Sequence, residues 1–180
     1  MDTLAHGLWG GAAFGQKDAR QWRQAFVIGL APDFFSFGLF FVTHLSDLQE
    51  RWAHHHMGPP DPATIPPFVY HTYDITHSLV VWAAVVTAAY IFLAWRRRRS
   101  GFQTHPYSLQ TLWPMGAWGL HILCDIPTHS MHFFPTPFFW PFPTPLVNGA
   151  PWGSGSFMLL NYTGLAVAYF LLLLRRRQKT

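Results

Sequence analysis

Residues 79–95 run for seventeen positions without a charged side chain and end in four consecutive arginines, Arg96 to Arg99. As a helix such a run crosses most of a bilayer's hydrocarbon core, and a basic cluster at its end is the usual mark of a cytoplasmic anchor. Residues 157–174 repeat the pattern, with Asn161, Tyr162 and Thr163 as the polar interruptions and RRRQK at 175–179 closing the run. Two further apolar runs follow from the same reading: 25–42, broken by Asp33 and Ser36, and 109–126, which carries His121 and Asp125 at its far end.

Composition agrees with a membrane solvent. Half of the 180 residues are apolar and only 11% are charged, against roughly 25% in an average soluble domain. The net charge of +4 does not point to nucleic acid, because eight of the twelve Lys and Arg residues belong to the two runs at 96–99 and 175–179. One cysteine, Cys124, excludes an intrachain disulfide. The N-terminus carries Asp2 where a signal peptide would carry Lys or Arg, so it is expected to be retained. The expected fold is all-α: a single membrane-embedded domain over 1–180, a multi-pass bundle of about four to five helices. A long polar loop (43–76) and an aromatic, Pro-rich loop (131–156) should lie on its outer side, the first with one short helix near 45–55 and the second lining or covering something.

Basic residues set an orientation. With 17–23, 96–99 and 175–179 on the cytoplasmic side, 25–42 runs outward, 79–95 inward, 109–126 outward and 157–174 inward across the inner (plasma) membrane. His6 in the apolar 1–15 segment, His77 beside the cap-like Thr76, His121 and Asp125 then fall toward the outer ends of their helices, and Asp33 lies nearer the middle beside the helix-breaking Pro32. Residues distant in sequence thus reach one level of one bundle.

The stretch HILCDIPTH, 121–129, is the focus of that convergence. His121 and Asp125 at i,i+4 share one helix face, Pro127 stops the helix near Asp125, and His129 falls on a turning segment that can fold back. Neutral imidazoles with carboxylates suit a divalent metal, zinc first and manganese or iron next, and three or four such ligands make a catalytic centre with an open position. A metal-bound water loses a proton near neutral pH, which makes hydrolysis the reaction class to expect. The candidate ligands are His6, Asp33, His71, His77, His121, Asp125 and His129, with Asp33, His77, His121 and Asp125 as the catalytic set. His132, Asp74 and the HHH run at 54–56 are weaker candidates, and Cys124 reads as a small core residue. The competing readings are a His–Asp hydrogen bond that only fastens two helices and a non-catalytic transporter or proton relay with the same residues in a wet cavity.

His6 in an N-terminal apolar helix, APD at 31–33, THS at 76–78, HxxxD at 121–125 followed by Pro127, and FFWPF at 138–142 together resemble the YdjM-like family of membrane-bound, metal-dependent hydrolases. The resemblance implies a small multi-pass inner-membrane protein and carries over to His6, Asp33, His77, His121 and Asp125. The family often has a histidine five residues before that of THS, whereas here His71 stands six before His77 and Asp74 intervenes, so either suits that role. Thr128, His129 and Ser130 follow the proline where the family commonly has a small or aromatic residue and glycine, so His129 is a candidate for an extra ligand peculiar to this sequence. The family distantly resembles zinc-dependent phospholipases C. That likeness implies ester or phosphoester cleavage, with membrane lipids as surroundings and a lipid or lipid-linked phosphoester as substrate.

Overall fold

A computed structural model describes residues 1–43, 62–99 and 109–178. Helices dominate them: α1 (Thr3–Phe14), α2 (Ala19–Thr43), α3 (Pro67–Thr76), α4 (Leu79–Arg99), α5 (Gly116–Asp125) and α6 (Gly155–Arg177), with 3-10 turns at Pro62–Thr64 and Leu109–Met115. No strand occurs among the described residues, apart from one isolated bridge between Ser130 and Phe133. The residues expected to form a short helix near 45–55, and His54, His55 and His56 with them, lie outside the described residues.

Three helices are long and apolar enough to cross a membrane: Ala19–Val42, Leu79–Arg99 and Gly155–Arg177, with mean hydropathies of 1.9, 1.8 and 1.9. Their surfaces support a lipid setting. Nothing on α4 is buried, and Ile91, Phe92, Leu159, Leu160 and Phe170 stand exposed, which in water would make an unprotected apolar belt. The fourth expected span, 109–126, is not one continuous helix. Pro114 lacks a donor and crowds the preceding turn, so 109–115 winds as 3-10 and only the ten residues of α5 are α-helical.

Local chemistry sets the ends of the elements. Asp2 caps α1, its Oδ1 accepting from Ala5 N at 3.0 Å, and Asp18 Oδ1 does the same for Gln21 N at 2.7 Å at the start of α2. The polar stretch at 17–23 is therefore largely the first turn of α2. Pro66 and Pro67, expected in a loop, start α3 instead, because a proline at the first helical position loses a donor that has no acceptor there. The cap of α4 is Ser78, not Thr76: its Oγ accepts from Val80 N and Val81 N at 3.1 and 3.2 Å. His77 consequently sits at the C-cap of α3, in the joint between two helices, and not in the first turn of α4.

Small residues let α1 sink between its neighbours. A Cβ on Gly10 would stand 2.8 Å from Ala25 O and 2.9 Å from Ala117 Cβ, so α1 meets α2 and α5 at near backbone contact. Polar side chains tie α6 to α1: Trp9 Nε1 donates to Asn161 Oδ1 (2.9 Å), Tyr162 OH to Asp2 Oδ1 (2.9 Å) and Tyr169 OH to Leu8 O (2.8 Å). The aromatic 131–156 segment leaves and returns at the end of α5, where Gly149 N and Ala150 N donate to His129 O and Pro127 O at 2.7 and 2.9 Å. Between those points it is sewn to the α3–α4 joint. Leu79 N donates to Phe138 O at 2.9 Å, Ser78 Oγ to Trp140 O at 2.5 Å and Tyr73 OH to Phe134 O at 3.0 Å, and Phe134 packs with Phe40, Ile65, Val69 and Tyr73.

Candidate metal centre

Three parts of the fold deliver one polar cluster of four residues into this apolar frame. Asp33 comes from the middle of α2, His77 from the α3–α4 joint, and His121 and Asp125 from the last turn and a half of α5. The i,i+4 spacing on α5 does what it predicts, bringing His121 Nε2 to 3.1 Å from Asp125 Oδ2. His77 Nε2 lies 3.1 Å from His121 Nε2 and 3.5 Å from Asp125 Oδ2. Asp33 Oδ1 completes the group at 3.5 Å from His77 Nε2 and 3.6 Å from His121 Nε2. His77, His121 and Asp125 have fully buried side chains, while that of Asp33 keeps 14% of its exposure.

Backbone contacts decide which nitrogens face inward. His121 Nδ1 is 2.7 Å from Gly29 O, and because a carbonyl only accepts, that nitrogen carries the proton. Pro32 loosens this stretch of α2 by removing the donor that Ile28 O would otherwise receive one position earlier. His77 Nδ1 likewise donates to Tyr73 O at 3.2 Å. With both rings neutral, as metal binding requires, the two Nε2 atoms are lone pairs aimed at one another across 3.1 Å, with two carboxylate oxygens alongside. In that state four acceptors face one another without a donor, and Asp125 Oδ2 is buried with no hydrogen-bond partner.

A metal ion at the centre would resolve that conflict. A tetrahedron with bonds of about 2.0–2.1 Å to nitrogen and oxygen has edges of about 3.3 Å. Five of the six edges here measure 3.1–3.6 Å, and all six are within 4.8 Å. The donor set suits a dication in charge as well as in size, since the two carboxylates among the four donors match its two positive charges. Burial holds the His77 imidazole below its usual pKa, against the opposing pull of Asp33, which favours the neutral ring a metal needs.

Around this group lies a second circle of contacts on the other oxygen of Asp125. The Met1 ammonium is 2.6 Å from Asp125 Oδ1 and 3.0 Å from Thr128 Oγ1. His6 Nε2 is 2.8 Å from Asp125 Oδ1 but out of line for an N–H bond, and neither ring nitrogen of His6 has a partner. Its ring stacks on His121 at 3.6 Å, as Tyr73 stacks on His77 at 3.8 Å, so each inner imidazole is braced on one face. His129 folds back as expected, with N and Nδ1 3.0 and 3.2 Å from Asp125 O and Nδ1 3.4 Å from Asp125 Oδ1.

The remaining candidates stand apart. His71 is exposed on α3 and meets Trp140 edge-on at 6.3 Å, outside the cluster. Asp74 is half buried, and burial pushes its carboxyl above the usual range, but it too lies outside the group of four. His132 is exposed. Sequence reasoning missed Gly29, Tyr73, Thr76 and Met1. Tyr73 had a signal, standing four residues before His77; a backbone carbonyl and a chain terminus offer none. Thr76 Oγ lies 3.0 Å from His77 Nδ1 and 2.7 Å from Ser36 Oγ, joining α3 to α2 beside the cluster. Comparison with family models, with curated proteins and with solved structures found no match to this chain.

Proposed function

We propose that this chain is a metal-dependent hydrolase of the bacterial inner membrane, related to the YdjM-like family, that cleaves an ester or phosphoester of a lipid or lipid-linked substrate. The observation that carries the reading is the unequal corner of the tetrahedron. His77, His121 and Asp125 form a fully buried face, whereas Asp33, at similar distances, alone keeps exposure. Three protein ligands with a fourth position reached from outside is the arrangement of catalytic zinc sites, in contrast to closed structural ones. A divalent ion here, zinc first, supplies an acidified water and a Lewis acid.

In this reading His77 and His121 hold their Nε2 lone pairs inward because their Nδ1 protons are committed to Tyr73 O and Gly29 O. Asp125 would bind through Oδ2, while its Oδ1 accepts from the Met1 ammonium, which also donates to Thr128 Oγ1. With the ion held by the other three residues, Asp33 would leave the fourth corner to the incoming water, accept its proton and return it to the leaving oxygen. The 131–156 segment, tied to the α3–α4 joint, excludes bulk water from that end. With the arginine ends cytoplasmic, the site faces the outer half of the bilayer, within reach of a lipid headgroup.

Metal analysis of detergent-purified protein, with hydrolysis of phosphoester and ester lipids in mixed micelles, tests this. Near one equivalent of ion and chelator-sensitive hydrolysis, lost in Asp33→Asn with the ion retained, is the expected result. Less than roughly half an equivalent after metal-replete preparation would remove the centre from the argument. Chelator-independent ion flux in proteoliposomes, abolished by Asp33→Asn, would replace the hydrolase by a proton relay.

A further inference from the structure

Away from the metal cluster, beyond the far end of α1, a cavity of about 270 Å³ opens between the α1–α2 turn and the last turns of α6. Arg23 and Arg176 line it together with Trp22, Tyr169, Leu172 and Leu173, and no carboxylate does. Neither arginine has an ion-pair partner among the described residues. The polar tips of the aromatic residues are already engaged, Trp22 Nε1 donating to Tyr169 OH at 3.0 Å and Tyr169 OH to Leu8 O at 2.8 Å. Gln16 Nε2 is likewise committed to Ala12 O at 3.0 Å, so the two guanidiniums are the charged groups left to bind, and they sit over apolar walls.

We propose that this cavity seats the phosphate of an anionic phospholipid. Planar guanidinium forks match phosphate oxygens and hold full charge at any pH of interest. The volume is near the low end for ligand pockets, which fits a headgroup and not a whole lipid. Below Arg23 a second, shallow apolar hollow follows Val27 and Ile28 down α2, while Leu172 and Leu173 lead down α6. Two apolar tracks diverging from one basic centre match two acyl chains on one phosphate, and that shape selects a lipid over free phosphate. The position also fits, because both arginines lie at the basic ends of membrane-crossing helices, where anionic headgroups collect.

Native mass spectrometry of the protein released from nanodiscs of equal phosphatidylglycerol and phosphatidylcholine tests the site. The unaltered chain should retain phosphatidylglycerol in preference to phosphatidylcholine, and the pair Arg23→Gln with Arg176→Gln should lower that retention roughly tenfold to thirtyfold. Arg97→Gln with Arg98→Gln, which removes equal charge from the end of α4, should leave it unchanged. Equal retention of the two lipids by the unaltered chain overturns the proposal without reference to any variant. Equal losses in the two double variants, or displacement of the lipid by excess inorganic phosphate, overturn it as well.

Discussion

Removal of one corner of the cluster should erase the metal's contribution to stability while leaving the fold measurable. His121→Ala takes away the Nε2 that lies 3.1 Å from both His77 Nε2 and Asp125 Oδ2. It also orphans Gly29 O, which costs about 1–3 kcal/mol in any metal state. The informative quantity is therefore the difference between metal-loaded and chelated protein, taken within each variant, from which that cost cancels. At a free-ion concentration of about 100 Kd, binding to the folded state alone adds about 2.7 kcal/mol. For a chain of this size that is a rise in Tm of about 5–11 °C. Loss of an outer-shell partner alone can weaken a metal site by about 100-fold, and loss of a ligand should do no less. At the same ion concentration the variant's increment then falls to about 0.4 kcal/mol, or about 1–2 °C. Thermal unfolding in detergent, with zinc and then with chelator, provides the assay. A zinc increment in His121→Ala equal to that of the unaltered chain would refute the tetrahedral assignment, and so would the absence of any increment in the unaltered chain.

His71→Ala should leave metal content unchanged, since the ring stands outside the cluster against Trp140; loss of the ion by elemental analysis would return His71 to the ligand set. Gly10→Val should destabilise by several kcal/mol or prevent folding, because even a Cβ meets Ala25 O at 2.8 Å; a normally folded protein by size-exclusion chromatography and circular dichroism would contradict the close α1–α2 packing. Asn161→Leu should cost about 1–3 kcal/mol by stranding the Trp9 N–H and should loosen α6, read as faster proteolysis or hydrogen exchange there; unchanged protection would argue against the polar tie. Burial raises the Asp74 carboxyl, so the folded state binds its proton more tightly than the unfolded one, and the stability it lends at acid pH is lost as pH rises through its folded value. Asp74→Asn should flatten that part of the stability–pH curve, and an unchanged slope in chelated protein would rule the residue out as its source.

Signals confined to one element were legible in the sequence. The charge-free run at 79–95 with its arginines became α4, and His121 with Asp125 needed only helical spacing and Pro127 to be placed on one face at a helix end. Tertiary context was not legible. Pro66 and Pro67 read as a loop because proline breaks more helices than it starts, yet at the first position of α3 the missing donor costs nothing. That one difference moved His77 from the start of a helix to the joint between two, where its Nδ1 finds Tyr73 O and its Nε2 turns inward.

The same limit explains why composition alone undervalued the N-terminal helix. At twelve residues α1 is about 18 Å long, too short to cross a bilayer, and by length it reads as peripheral. Its glycines reverse that. With no Cβ on Gly7, Gly10 or Gly11, α1 inserts between α2, α5 and α6, and His6 reaches the face of His121 while Met1 reaches Asp125. A short helix can enter an apolar bundle only if its ends are satisfied. Asp2 answers the first N–H groups at one end, and Gly15 N returns to Gly11 O at the other. The residues that make α1 unconvincing as a span are thus the ones that let it carry a histidine to the centre.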